Sequence, residues 1–249
     1  MAQSKGTRGG QSVVFFWKGD GVIRRIAGVV TRPRATLAEL VGQPVWAATW
    51  VFILVVWTIC GWWLLSTDVG QQALVDERVR VIESFGGTVT EPEYAALVAE
   101  PPWWVYFTSG GRLLLTPVFT LLIAILLWVV ARREGAPVRF AQALAVTVQS
   151  SVVLLIGQLV ATPLHYVRES LTSPLNAAAV LPLMEDGTAP TRFFGVMDVF
   201  AVWWAVLLAV GLSTLTDRPT RRYLVPIALL FAGFAMVMAI VLAVTGGGS

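Results

Sequence analysis

Five stretches of this 249-residue chain carry no Asp, Glu, Lys or Arg, and each is long enough to cross a bilayer. They are Leu40–Thr67, Leu113–Ala131, Phe140–Val167, Val199–Thr216 and the segment from Tyr223 onward. The hydrocarbon core is about 30 Å thick and a helical residue rises about 1.5 Å, so roughly 20 apolar residues make one crossing. Charges gather in the gaps between these stretches. With 56% hydrophobic and 13% charged residues, the chain lacks the polar surface of a soluble domain. The reading is an all-α membrane protein with five transmembrane helices, near 45–66, 113–131, 140–163, 197–216 and 223–245.

Charge placement sets the expected topology. Lys5, Arg8, Lys18, Arg24, Arg25, Arg32 and Arg34 precede the first span; Arg132, Arg133 and Arg139 follow the second; Arg218, Arg221 and Arg222 follow the fourth. Those thirteen basic residues fall on one side, against five (Arg78, Arg80, Arg112, Arg168, Arg192) on the other. The positive-inside rule then predicts a cytoplasmic N-terminus and an outside C-terminus in a cell inner (plasma) membrane. This asymmetry accounts for the net charge of +3 without a nucleic-acid partner. The run Val13–Trp17 is too short for a signal-peptide core, so none is expected. Arginine supplies sixteen of the eighteen basic residues, which points to a GC-rich bacterial genome.

Two regions follow: a cytoplasmic segment, 1–39, and a membrane domain, 40–249. In the first, DGVIRRIAGVV places Val22, Ile23, Ile26, Val29 and Val30 on one face and Arg24 and Arg25 on the other. That pattern predicts a short interfacial amphipathic helix with Arg24 and Arg25 reaching lipid headgroups. The outer loop Asp68–Gly111 predicts a helix through VDERVRVIESF, closed by Gly86-Gly87, and another opening near Pro92. Trp103, Trp104, Tyr106 and Phe107 suit the membrane interface. SPLNAAAVLPLM is too short to cross.

Polar residues are costly inside a bilayer and are the first functional candidates. Asp198 opens the fourth span, and His165 and Arg168 close the third on the same side; together they would make a proton-linked or ligand-binding group. The competing reading makes Asp198 a helix N-cap. Gln142, Gln149 and Gln158 on the third span suit interhelical hydrogen bonds. Ala201, Ala205, Ala209 and Ser213 on the fourth span, and Ala228, Ala232, Ala235, Ala239 and Ala243 on the fifth, form small-residue stripes. Such stripes are helix-packing seams, within one chain or between copies. Pro117 and Pro226 predict kinks.

Enzyme chemistry finds little support. One histidine and the lone Cys60 supply neither a paired-His zinc motif nor a strong dyad, and no Gly-rich phosphate loop is present. No catalytic activity, cofactor or metal is expected.

The stretches RESLTSPLNAAAVLPL and RFFGVMDVFAVWWAVLLAVGLSTLT resemble the Yip family, membrane proteins named for interacting with Ypt/Rab GTPases. The resemblance is carried by Asp198, Phe200, Trp203, Leu207-Leu208 and Gly211-Leu212, with VVTRPRATLAELVGQPVWA before the first span and FAQALAVTVQSSVVLL in the third. It spans roughly residues 25–245 and implies five spans, a cytoplasmic N-terminus and a non-enzymatic bundle. Such a bundle would act as an accessory or scaffold subunit, associating with membrane lipids and with another membrane protein complex or itself. The alternative is a transport component for lipid or a small solute, with a cavity between the third and fourth spans. An enzyme of lipid metabolism is a further rival.

Overall fold

The computed structural model describes residues 19–84, 87–99, 103–171, 175 and 198–245; the side chains of 103–113 and of most residues beyond 233 are not included. Among the described residues the regular elements are helices joined by short connections, with no strand. Ten helices follow one another: α1 Gly19–Thr31, α2 Pro33–Gly42, α3 Ala47–Leu65, α4 Asp68–Ser84, α5 Glu91–Val98, α6 Trp103–Arg133, α7 Phe140–Ser150, α8 Val152–Arg168, α9 Val199–Thr216 and α10 Arg221–Thr245. Four spans meet the length and apolarity of a membrane crossing: α3, the part of α6 from Leu114, α7 with α8, and α9. The fifth apolar stretch forms α10, whose 25 residues are also long enough by length.

The first apolar stretch does not run on as one helix. Pro44 lies in the connection between α2 and α3, where its ring and missing N–H stop helix propagation. The third stretch, expected as one helix, is two that meet at Ser151. No proline causes this break. The carbonyl of Thr147 accepts from both the Ser151 N–H (3.0 Å) and the Ser151 hydroxyl (2.9 Å), a back-bond that bends helices. Pro117, Pro163 and Pro226 lie inside α6, α8 and α10, which continue through them.

α7 and α8 form the centre of the bundle, the most deeply buried of the four spans. Val146, Val148, Val152 and Val153 are all fully buried, packed with Leu207, Ala209 and Leu212 of α9 and Ala124 and Leu127 of α6. Two glycines let helices approach closely. A Cβ on Gly211 would sit 2.2 Å from Val146 Cγ1, and one on Gly157 would sit 2.8 Å from Phe200 Cγ. Both contacts lie eleven residues apart on each helix, so α9 runs antiparallel to α7 and α8 in a constant register.

The amphipathic α1 forms, but it is not held by lipid alone. Val22 and Val29 are buried against the bundle, while Ile23 (68% exposed) and Val30 (39%) stay open on a flank. A single residue, Arg32, turns the chain into α2, and Gly28 then faces Thr36. Leu37 and Leu40 of α2 belong to the same core as α7 and α9, so the boundary at 39/40 falls inside a packed helix.

One end of the bundle collects the basic connections. Gln142 donates to the Val41 carbonyl at 2.6 Å, joining α2 to α7. Arg222 pairs with Glu134 at 2.8 Å, joining the α9–α10 turn to the α6–α7 turn. Arg132 lies 5.9 Å from the Trp128 ring, and the Trp128 indole donates to the Val138 carbonyl at 3.2 Å.

At the other end, α4 folds back beneath α3; a Cβ on Gly70 would meet the Leu64 carbonyl at 2.0 Å. α5 opens with a capping box in which Glu93 accepts from the Thr90 N–H and hydroxyl, both at 2.8 Å. Tyr94 donates to Asp76 at 3.0 Å and Gln72 also meets the Tyr94 hydroxyl, clasping α5 to α4. The Thr90 N–H and hydroxyl hold the Glu93 carboxyl below its ordinary value, and the Asp76 carboxylate raises the Tyr94 phenol. SPLNAAAVLPLM and the side chains of Trp103, Trp104, Tyr106 and Phe107 lie outside the described residues.

Candidate functional site

Asp198 is the N-cap of α9. Its Oδ1 accepts from the backbone N–H of Phe200 at 2.7 Å and of Ala201 at 3.4 Å, satisfying donors a helix start leaves open. His165 sits in the last turn of α8, with Nδ1 2.8 Å from the Ser170 carbonyl, and Arg168 is exposed one turn on. By the α8–α9 register, Asp198 lies level with Leu159. His165 is six residues further along α8, about 9 Å by helical rise.

The three glutamines have different fates. Gln142 reaches Val41 through Nε2, while its Oε1 accepts from the Arg139 N–H at 2.7 Å. Gln158 donates to Thr162 Oγ1 within α8 at 3.0 Å. Gln149, 1% exposed, has no hydrogen-bond partner for either side-chain atom. Leaving such a group unsatisfied costs about 1–3 kcal/mol, so orphaned atoms call for an explanation.

Gln149 has company. Among the described residues, the buried side-chain polar atoms without a partner are Gln149 Nε2 and Oε1, Ser150 Oγ, Thr49 Oγ1, Trp50 Nε1 and Trp204 Nε1. Gln149 and Ser150 end α7, directly before the Ser151 break. Counting from the Gly157–Phe200 contact places Trp204 level with Val153. α3 runs parallel to α8 with the Trp63 ring tilted against Tyr166 (5.8 Å between centroids), and counting back thirteen residues on each puts Trp50 level with Val153. Thr49 is one residue earlier. The residues that carry these six atoms therefore fall within about 6 Å of height along the bundle. They share a height but not a side, because α3 and α9 pack against opposite faces of α8.

Gln149 was legible from sequence as a polar residue in a span. Thr49, Ser150, Trp50 and Trp204 were not, because hydroxyls usually bond back to their own helix and tryptophan passes as an apolar residue. Only the register between helices puts them at one height.

The seams resolve by burial. Ala205, Ala209 and Ser213 are buried on α9 inside the chain, and Ala201 is half-buried. On α10, Ala228 is exposed and Ala232 half-buried; the side chains of Ala235 and Ala239 lie outside the described residues. Neighbouring Val225, Leu229 and Leu230 are each more than 60% exposed, so α10 presents an open apolar face. Arg24 is exposed and Arg25 half-buried on α1.

A family model described as the Yip1 domain matches residues 27–243, most of the chain and all of the bundle core. No curated protein and no solved structure gives a match.

Proposed function

The chain belongs to the Yip family of membrane proteins, and from that premise we propose that it works by association: a non-enzymatic accessory or scaffold subunit in a multi-pass bundle. On this reading α10 is a fifth crossing, the basic end faces the cytoplasm of a bacterial cell, and the membrane is the inner one. The observation that carries the reading is the contrast between the two small-residue helices. α9 spends its stripe inside the fold, whereas α10 keeps Ala228 open among Val225, Leu229 and Leu230. A small residue on an outward face lets a partner helix approach closely, which is what drives helix association where lipid removes the hydrophobic incentive. Ile23 and Val30 of α1, beside Arg24 and Arg25, supply a second contact, with lipid headgroups.

Affinity purification of the tagged chain from its native membrane in mild detergent, followed by mass spectrometry, tests this. Stoichiometric recovery of a second membrane protein, lost in Ala228→Leu and kept in Asp198→Asn, is expected. Recovery of the bare chain from the wild type contradicts it. Transport of lipid or a small solute is the second reading, favoured by Gln149 and Ser150 between the third and fourth spans.

A further inference from the structure

α8 is bordered by different helices on its different faces. Gly157 meets Phe200 of α9, and Tyr166, nine residues or about two and a half turns later, meets Trp63 of α3. α3 and α9 therefore stand on opposite faces. On one side between them lie Leu154, Gln158, Ala161 and His165, all half-buried. On the other side lie Ile156, Val160, Pro163 and Val167, and this strip opens from Val160 (40% exposed) to Val167 (77%). Stepping back by sevens from Ala161 leads to Phe140, whose ring meets Trp128 of α6 at 6.4 Å. The same steps from Pro163 lead through Ile156 and Gln149 to Gln142, whose amide bonds Val41 of α2. α6 thus packs on the half-buried side, and α2 stands on the side of the open strip.

Arginine marks the point where α2 stops below that strip. Leu37 lies 3.8 Å from the position a Gly211 Cβ would take, beside Val146, so α2 runs antiparallel to α7. Counting back along it brings its start, Arg32 to Arg34, to the height of Ser150. α1, joined through Arg32, touches both α7 and α8. α3 begins at this height too, since counting back from Trp63 and Tyr166 sets Ala47 level with Ser150. From Ser150 to Arg168 is about 27 Å by helical rise, close to the ~30 Å of a hydrocarbon core. Headgroup height on this flank therefore falls at the α1–α2 corner. Arg32 and Arg34 are exposed there, and neither has an ion-pair partner among the described residues. They sit at the start of α2, which has no capping side chain and no acidic residue in its first turn. Two cations at the positive end of a helix are unfavourable, and an anion beside them relieves that.

We propose that the foot of this strip binds an anionic phospholipid from the leaflet on the basic side of the bundle. Its phosphate sits at Arg32 and Arg34, and an acyl chain runs along Ile156 and Val160 between α3 and α9. The apolar strip alone takes any lipid; the unpaired arginines at its end select a negative headgroup. Their long stems let the guanidinium groups reach the headgroup plane from the helix start. The length fits one leaflet, because Val160 stands about 14 Å above Ser151 and half a hydrocarbon core is about 15 Å. Naming this leaflet the cytoplasmic one rests on the topology proposed above. The site itself does not, and it needs no partner protein, so the scaffold reading and this one can fail separately.

The test uses the purified full chain, stripped of lipid in detergent, with dioleoyl phosphatidylglycerol, dioleoyl phosphatidylcholine or inorganic phosphate added back. A ligand that binds only the folded state raises the unfolding temperature with its concentration. Phosphatidylglycerol is expected to raise it, and the other two to leave it unchanged at equal concentration. The double variant Arg32→Gln with Arg34→Gln, at exposed positions, is expected to match the wild type without lipid. It should need about thirty-fold more phosphatidylglycerol for the same gain, at about fivefold for each arginine. A phosphatidylglycerol with a photoreactive group in its acyl chain is expected to label α8 between Ile156 and Pro163 in the wild type, and to lose that label in the double variant. Equal gains from the two phospholipids, or a gain from inorganic phosphate alone, overturn the proposal. Wild-type label spread as densely over α6 and α10 as over α8 overturns it as well, and that result holds even where the double variant fails to fold.

Discussion

Gly211→Ala is the smallest change that presses on the contact between the third and fourth spans. The added Cβ would lie 2.2 Å from Val146 Cγ1, where carbon atoms rest about 3.5–4.0 Å apart. Val146 is fully buried and β-branched, so it has neither space nor a second good rotamer in a helix. Overpacking of this kind costs about 1–3 kcal/mol. Alanine returns up to ~1 kcal/mol in helix propensity over glycine. The net loss expected is about 1–2 kcal/mol, or roughly 3–6 °C in unfolding temperature for a chain of this size. Thermal unfolding in detergent measures it, and Val146→Ala in the same chain supplies the control, because it removes the clashing methyl. The pair should couple by about 1 kcal/mol or more, the double variant recovering part of the loss. A Gly211→Ala protein as stable as the wild type, or a double variant that sums its two single losses, refutes the register drawn between α7 and α9.

Asp198→Ala should lose about 1 kcal/mol as a lost N-cap, whereas Asp198→Asn, still a good cap, should stay within a few tenths; chemical unfolding distinguishes them. Glu93 has its pKa held below the ordinary 4.5, so its contribution to α5 is complete above that value and disappears as pH falls through the lower folded value. Hydrogen exchange in α5, corrected for intrinsic rate, should stay flat above 4.5 and lose protection below it; Thr90→Ala should shift that loss toward higher pH. Glu134→Gln removes a pair whose side chains are 53% and 23% exposed, and should cost no more than about 1 kcal/mol, less in high salt.

The membrane class, the all-α fold and the gathering of basic connections at one end were legible because charge segregation is a long-range pattern that survives local error. The end of α4 before Gly86-Gly87 and the opening of α5 near Pro92 were legible from the same residues. Less legible was the third span: Ser151 interrupts it through hydroxyl back-bonding to Thr147, a competition that hydropathy does not register. The polar layer was readable only at Gln149, since its other members acquire meaning from the alignment of α3, α8 and α9. The union of α1 and α2 with the core was equally hidden. Leu37 reads as one apolar residue in an amphipathic approach until Gly211 opens the space beside it.

Site-specific photo-crosslinking in the native membrane tests the association account most directly. A photoreactive residue at Leu229, 67% exposed on α10, is compared with one at Leu212, 3% exposed on α9. The account predicts an adduct of discrete mass with a membrane protein from 229 and none from 212. Adducts from 229 with lipid alone, in a chain that moves solute across liposomes, would contradict it.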